Sequence, residues 1–475
     1  MTLRSSALLL FAATVLGCGA PSSSEDTGAA ALTPAQSAFL DTLSRRSFDY
    51  FWELTDPATG LTPDRAPTRS FSSIAAIGFA LTAYPVGVER GWISRDAARE
   101  RVLTTLRFLW RLPQGDAPSG MGGFHGFFYH FLNPGSGTRF QQVELSTIDT
   151  SILLLGALFC GQYFSRTDPG ESEIRALADS LYRRVDWTWI QPRPPLVSMG
   201  WTPEEGFHTY DWKGYDEAML LYVLALGSPT HPIDAAAWPA WTTTYQWGAF
   251  EGREQVGFAP LFGHQYSQVW IDFRGIQDAW MRAHGLDYFE NSRRATLSQR
   301  DYAIANPMHW TGYDSLSWGL SASDGPADVT LDFNGQPRRF QTYAARGASH
   351  TEVRDDGTIT PHAAGGSIAF APEVVVPTLM AIRSRLGDNI FSRYGFLDAY
   401  NESFTFDVAV QQGRIVPGQG WFDTDYIGID VGPTLLMTEN LRSGLIWKLM
   451  RTEPSIRRGL LRAGFSGGWL GVGSR

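Results

Sequence analysis

The stretch STIDTSILLLGALFCGQYF, residues 146–164, is long enough for a helix of five turns and is apolar on nearly every face of it. A helix with no polar face has to be buried on all sides. The same pattern recurs at Ser73–Tyr84, Tyr215–Leu226, Val374–Ile382 and Gly432–Met437. Between these segments lie helices of a different kind. Arg95 to Arg111 follows a plausible N-cap, Ser94, and places Val102, Leu103, Leu106 and Leu109 on one face, with Arg95, Arg99 and Arg101 elsewhere. Glu171–Asp186 and Tyr288–Ile304 are amphipathic in the same way. About twelve helical segments are read in all, with buried ones tending to alternate with surface ones. An inner ring of helices wrapped by an outer ring satisfies that alternation, so the predicted fold is all-α, an (α/α)6 toroid with long loops. The competing arrangement is an irregular two-layer helical array. Strand signals are few. The clearest is Val329–Ala344, where Asn334-Gly335 between two extended runs predicts a hairpin added to the helical body.

Composition narrows the function. Of 475 residues, 43% are hydrophobic and 18% charged, enough for a large core. Acidic residues outnumber basic ones by 48 to 39, a net charge of -9. Nucleic-acid affinity rests on Lys and Arg neutralising phosphates, so no nucleic-acid partner is expected. The same balance argues, more weakly, against a strongly anionic polysaccharide. The chain carries 17 Trp, 17 Tyr and 29 Phe. Trp and Tyr join a flat apolar face to a polar edge, the complement of a sugar ring, although a large aromatic core would use them equally well.

At the N-terminus, Arg4 precedes an apolar run from Ala7 to Leu16. A short charged segment, a run of this length and small residues after it read as a secretory signal over residues 1–17, too short to span a membrane. Val15-Leu16-Gly17-Cys18 resembles the bacterial lipoprotein signal, which implies lipidation of Cys18, membrane attachment and a cell-envelope location (periplasm or outer membrane). An ordinary signal peptide with an incidental cysteine is the alternative. Residues 18–35 read as a flexible tether, 36–465 as one catalytic domain and 466–475 as a C-terminal tail. With Cys18 lipidated, Cys160 has no disulfide partner.

Loops rich in glycine, aromatics and acids lead into the buried helices, at 122–129, 208–215, 310–326 and 421–426. In a toroid they gather at one mouth, where function sits on a rigid scaffold. Three acidic groups open buried helices there: Glu144 with Asp149, Asp216 with Glu217, and Asp423 and Asp425 with Asp430. Glycoside hydrolysis needs two carboxyl groups flanking the bond, one of them protonated. Glu217 suits the acid best, with Asp216 as a neighbouring like charge and Tyr210, Trp212 and Tyr215 as apolar walls. For any single acid, an N-cap or structural ion pair is the competing role. No zinc-binding helix, phosphate-cradling loop or nucleophile elbow is present. Asp423-Thr424-Asp425 with Gly428 and Asp430 has part of a calcium loop, but Thr434 stands where the terminal Glu belongs. No metal and no cofactor is expected.

Several blocks resemble the bacterial glucoamylase-like family, whose members include endo-β-1,2-glucanases. They are 144–150 (ELSTIDT), 215–220 (YDEAML), 264–275 (HQYSQVWIDFRG), 287–293 (DYFENSR), 323–326 (SDGP), 370–373 (FAPE) and 426–433 (YIGIDVGP). The resemblance runs from about Phe39 to Met450. It implies an (α/α)6 toroid that hydrolyses a neutral glucan, most consistent with endo-acting cleavage of β-1,2-glucan, with Glu217 as general acid. Asp149 and Glu144 would line the cleft, and Asp425 or Asp430 would supply the opposing carboxylate. By the same analogy His264, Gln265, Asp272, Arg274, Asp324 and Tyr426 would contact sugar, and Trp212, Trp270 and Trp421 would be stacking platforms. Two other readings stay open: a glycan-binding lipoprotein on the same scaffold, and a toroid acting on another linkage. A lyase is disfavoured by the acid-rich mouth, since it needs basic residues to neutralise a uronate. The oligomeric state is not legible.

Overall fold

The computed structural model describes residues 32–471. The predicted signal, Cys18 and most of the tether lie outside the described residues. In chain order the helices are α1 (Pro34–Leu54), α2 (Ile74–Glu89), α3 (Arg95–Arg111), α4 (Thr147–Tyr163), α5 (Pro169–Arg184), α6 (Met219–Gly227), α7 (Ala237–Thr242) and α8 (Phe262–Trp270). Then follow α9 (Ala279–His284), α10 (Tyr288–Ala305), α11 (Pro361–Gly365), α12 (Pro372–Leu386), α13 (Gly428–Arg442), α14 (Leu445–Met450) and α15 (Pro454–Arg462). Helices α2, α4, α6, α8, α11 and α13 form an inner ring, and α1, α3, α5, α15, α10 and α12 pack around it, giving an (α/α)6 toroid. The sixth outer position, beside α6, is filled from the far end of the chain by α15, because the segment after α6 supplies only the two-turn α7.

The elements follow from local chemistry. Ser94 caps α3 by accepting the Ala97 N–H, and Val102, Leu103, Leu106 and Leu109 are buried, as their spacing predicts. Thr33 and Gln36 form a reciprocal capping box that starts α1 at Pro34, inside the predicted tether. Beyond the predicted domain end, Ser466 pairs with Gln277 and a 3-10 turn at Gly468–Leu470 is packed down. Helix α4 is buried along nearly its whole length. It presses backbone to backbone on α2, since a Cβ on Gly156 would sit 2.2 Å from the Gly78 carbonyl oxygen.

Two expectations change. The segment Val374–Ile382 belongs to α12, which buries one stripe only and is therefore an outer helix; the inner element is the short, wholly buried α11. The helix expected from Tyr215 begins at Met219, because residues 215–218 turn to present two acids. The hairpin is present, with 329–333 paired to 336–340 and both Asn334 and Gly335 at positive φ, as a two-residue primed turn requires.

Five of the six inner helices follow an outer one and α8 follows the short α7, so the inner ring runs in one direction with its N-termini at one mouth. The ring is solid beneath it: Phe79 stacks on Trp270 at 5.2 Å and meets Tyr266 edge-on, and the Trp270 indole N–H donates to Thr82 at 3.0 Å.

Candidate active site

Two banks of carboxyl groups face one another across the mouth. The first is built on α4 and α6. Residues 145–146 pair with 200–202 in a small sheet, which fixes the entry to α4, and Ser146 caps it by accepting the Asp149 N–H. The Ser146 hydroxyl donates to the Asp149 carboxylate. His130 bridges two acids: Nδ1 lies 2.8 Å from Glu144 and Nε2 lies 3.3 Å from Asp149. Burial opposes charge on this imidazole, but Asp149 and Glu144 outweigh it and raise its pKa to about 9. Against its own burial, the same contact holds Glu144 below the usual carboxylate range. At the start of α6, Asp216 accepts the Ala218 N–H and is buried, while Glu217 stays half-buried. Burial, then the charge of Asp216, raises Glu217 to about 8, with Asp149 contributing. A carboxyl in that state carries a proton at neutral pH.

The second bank comes from the segments before α2, α11 and α13 and from the first turn of α13. Residues 65–66 pair with 426–427, which carries Arg65 into a cluster of aspartates. Its Nη1 lies 2.6 Å from Asp324 and 3.7 Å from Asp425, and its Nε lies 3.4 Å from Asp64. Asp425 also accepts the Thr68 N–H at 3.0 Å, and Asp398 accepts the Asp324 N–H at 2.7 Å. One guanidinium thus serves a group containing Asp64, Asp324, Asp398, Asp423, Asp425 and Asp430, so protons or a shared cation have to supply the rest of the neutralisation. Burial raises Asp398, Asp423 and Asp430 well above the carboxylate range, and neighbouring charges add to it. Asp398 Oδ1 and Asp430 Oδ2 are buried and unpartnered as carboxylates. A proton on Asp398 makes it the donor to Asp430, which resolves both. Asp324, Asp398 and Asp423 each bring an oxygen within 4.8 Å of the others, and among the described residues they are the group that could share a cation.

Tyr266 of α8 sits between the banks: its hydroxyl is held well above its ordinary value by burial and then by Asp430, Tyr343, Glu217 and Asp149. Tyr343 is 54% exposed at the same mouth, where Asp430, Asp398, Asp64 and Asp324 all act on its hydroxyl. The fully buried Arg346 fixes its loop by donating to the carbonyls of Gln341 and Thr342 while paired to Asp356 at 2.7 Å.

Of the residues singled out in sequence, Glu144, Asp149, Glu217, Asp324, Asp425 and Asp430 come together at the mouth. Trp212 stands behind the first bank, its indole N–H on Thr147 at 2.9 Å, and Tyr426 is buried against Tyr394. The others do not reach the cleft. Trp270 is wholly buried at the C-terminal end of α8, roughly 13 Å below the mouth at the rise of an α-helix. Asp272 and Arg274 lie beyond it, paired to each other at 2.7 Å, with Arg451 also on Asp272 and the Trp469 indole on its carbonyl. Trp421 is wholly buried and donates to the Gln412 carbonyl. Gln265 ties α8 to Ala363 and Ser367, and His264, its pKa lowered to about 4 by burial, packs on Phe258 and Tyr215. Sequence reading missed Asp64, Arg65, His130, Tyr266, Tyr343 and Asp398. Tyr266 was findable, lying one turn before Trp270 and hence nearer the mouth.

A model of the Glycoamylase family, described as "Putative glucoamylase", matches residues 209–454. The exo beta-1,2-glucooligosaccharide sophorohydrolase (non-reducing end) of Parabacteroides distasonis is 26% identical over 458 residues, covering 89% of this chain. The chain spans 57% of the length of that relative. A crystal structure from Bacteroides fragilis with the same glucoamylase description superposes with a TM-score of 0.77 at 30% identity, covering 94% of this chain and 100% of the other. The endo-beta-1,2-glucanase of Chitinophaga pinensis, solved with sophorotriose and glucose, gives 0.77 at 27% identity over 93% and 100% of the two chains.

Proposed function

This chain belongs to the Glycoamylase family, whose model spans more than half of it, and on that footing we propose that it is a glycoside hydrolase cleaving β-1,2-linked glucan. The observation that carries the reading is Glu217: a half-buried carboxyl kept protonated at neutral pH, facing a second bank of carboxyl groups across Tyr266. A protein that only binds glycan has no use for such a proton. The names of the relatives from Parabacteroides and Chitinophaga supply the linkage. The endo-beta-1,2-glucanase of Chitinophaga, solved with sophorotriose and glucose, supports endo-action.

In this reading Glu217 gives its proton to the glycosidic oxygen as the bond breaks. Asp430 is the opposing base, because Asp425 is wholly buried and held by Thr68 and Arg65. Burial and the charges of Asp64 and Asp324 raise Asp430 to about 8, while the hydrogen bond from the protonated Asp398 favours its ionised form, and in that form Asp430 takes a proton from water. Asp149 and Glu144, held by His130, shape the wall beside Glu217. The test is product analysis on linear β-1,2-glucan, with β-1,3-, β-1,4- and α-1,4-glucans alongside. Short β-1,2-oligosaccharides from the wild type and none from Glu217→Gln are expected; cleavage of another glucan instead would overturn the linkage.

The secretory signal and Cys18 support attachment to the cell envelope through a lipid on that residue. Cys18→Ser should then release the protein from the membrane fraction.

A further inference from the structure

Beside the second bank lies a cavity of about 480 Å³, lined by Arg65, Arg69, Ser70, Phe71, Phe140 and Gln412, within the usual range for small-molecule sites. We infer that it is a glucosyl-binding subsite further along the cleft than the rings that flank the bond being cut, and that it sets the length of chain the enzyme prefers. This inference rests on the β-1,2-glucan reading above.

The cavity is joined to both banks. On one side Arg65, part of its lining, reaches Asp324 and Asp425, and Thr68 in the same loop donates to Asp425. On the other, Phe71 lies 5.0 Å from Phe140 and 3.8 Å from Phe131, whose ring stacks on His130 at 4.0 Å. His130 in turn holds Glu144 and Asp149. An occupant of the cavity therefore borders the second bank through Arg65 and the first through Phe131 and His130. The lining has the chemistry of a sugar site: half-buried Phe71 and Phe140 offer apolar faces to C–H groups, and the Arg69 guanidinium, Gln412 amide and Ser70 hydroxyl offer donors and acceptors to hydroxyls. The apolar faces and mixed donors suit a neutral ring. No group in the lining carries a negative charge.

The experiment measures kcat/KM on β-1,2-gluco-oligosaccharides of graded length for the wild type, Phe140→Ala and Arg69→Ala. The wild type should speed up as chain length reaches the cavity. Both variants should lose that gain, by about tenfold on long substrates, and match the wild type on the shortest one cut. Variants that keep the wild-type length dependence, or that lose rate equally at every length, overturn the subsite and leave the hydrolase standing. A wild type inert on every length overturns both. Arg69 is on the surface, so its variant decides the matter if Phe140→Ala fails to fold.

Discussion

Replacing Glu217 by glutamine tests the site through two unrelated readouts. The folded-state pKa is about 8, against an ordinary 4.5. Below pH 4.5 both the folded and the unfolded chain carry this proton, and the associated stability is fully present. Between 4.5 and 8 the unfolded chain has lost the proton and the folded one keeps it, so stability falls as pH rises, by about 1.4 kcal/mol per pH unit. The full span sets a ceiling of about 5 kcal/mol. Partial exposure and the sharing of the shift with Asp216 bring this to about 2 kcal/mol. Glutamine does not titrate, so the variant should gain on the wild type from pH 5 to about pH 8 and hold that gain to pH 9. Paired thermal unfolding scans across that range measure the gain. In the second readout, kcat on β-1,2-glucan should fall by about 10²–10⁴, with substrate affinity retained. A parallel offset between the two melting profiles at all pH values would refute the raised pKa. Full turnover by the variant would refute the acid assignment.

His130→Asn should cost activity more than stability, since it removes the charge facing Glu144 and Asp149 at the rim; shifted limbs in the kcat/KM pH profile are the readout. Trp270→Ala should lower stability by about 3–5 kcal/mol through a cavity in the ring's centre, with the loss seen in denaturant melts. Unchanged stability would show that Trp270 is not core. Gly156→Ala should destabilise by about 1–3 kcal/mol, because its methyl group meets the α2 backbone, which cannot yield as a side chain does.

The helices were legible wherever periodicity extended over several turns, as in α3 and α4, and the hairpin because Asn334-Gly335 admits few other conformations. The short α11 was not, since five residues carry too little pattern to separate an inner helix from a loop. At the site, Glu217 could be read because acids and aromatics are adjacent in the chain. Asp398 and His130 could not, because each is a polar residue whose partners, Asp324 and Glu144, stand elsewhere in the chain. For the tryptophans, position in the element decides what the residue type leaves open. Trp270 ends its helix, away from the mouth, Trp421 sits in a buried strand, and both are held inside by indole N–H bonds.

The packing of Phe79, Tyr266 and Trp270 in the middle of the ring has a consequence for how a polymer can be handled. A floor of this kind leaves no through-passage, so a glucan can neither thread the ring nor exit behind it. Entry and departure share a single doorway. Where along its length a chain is cut then depends on the walls of that doorway, the Arg69–Phe140 side and the Tyr343 loop. Walling off or clearing either side would convert a cutter of chain interiors into a trimmer of chain ends, or the reverse, with the catalytic floor untouched.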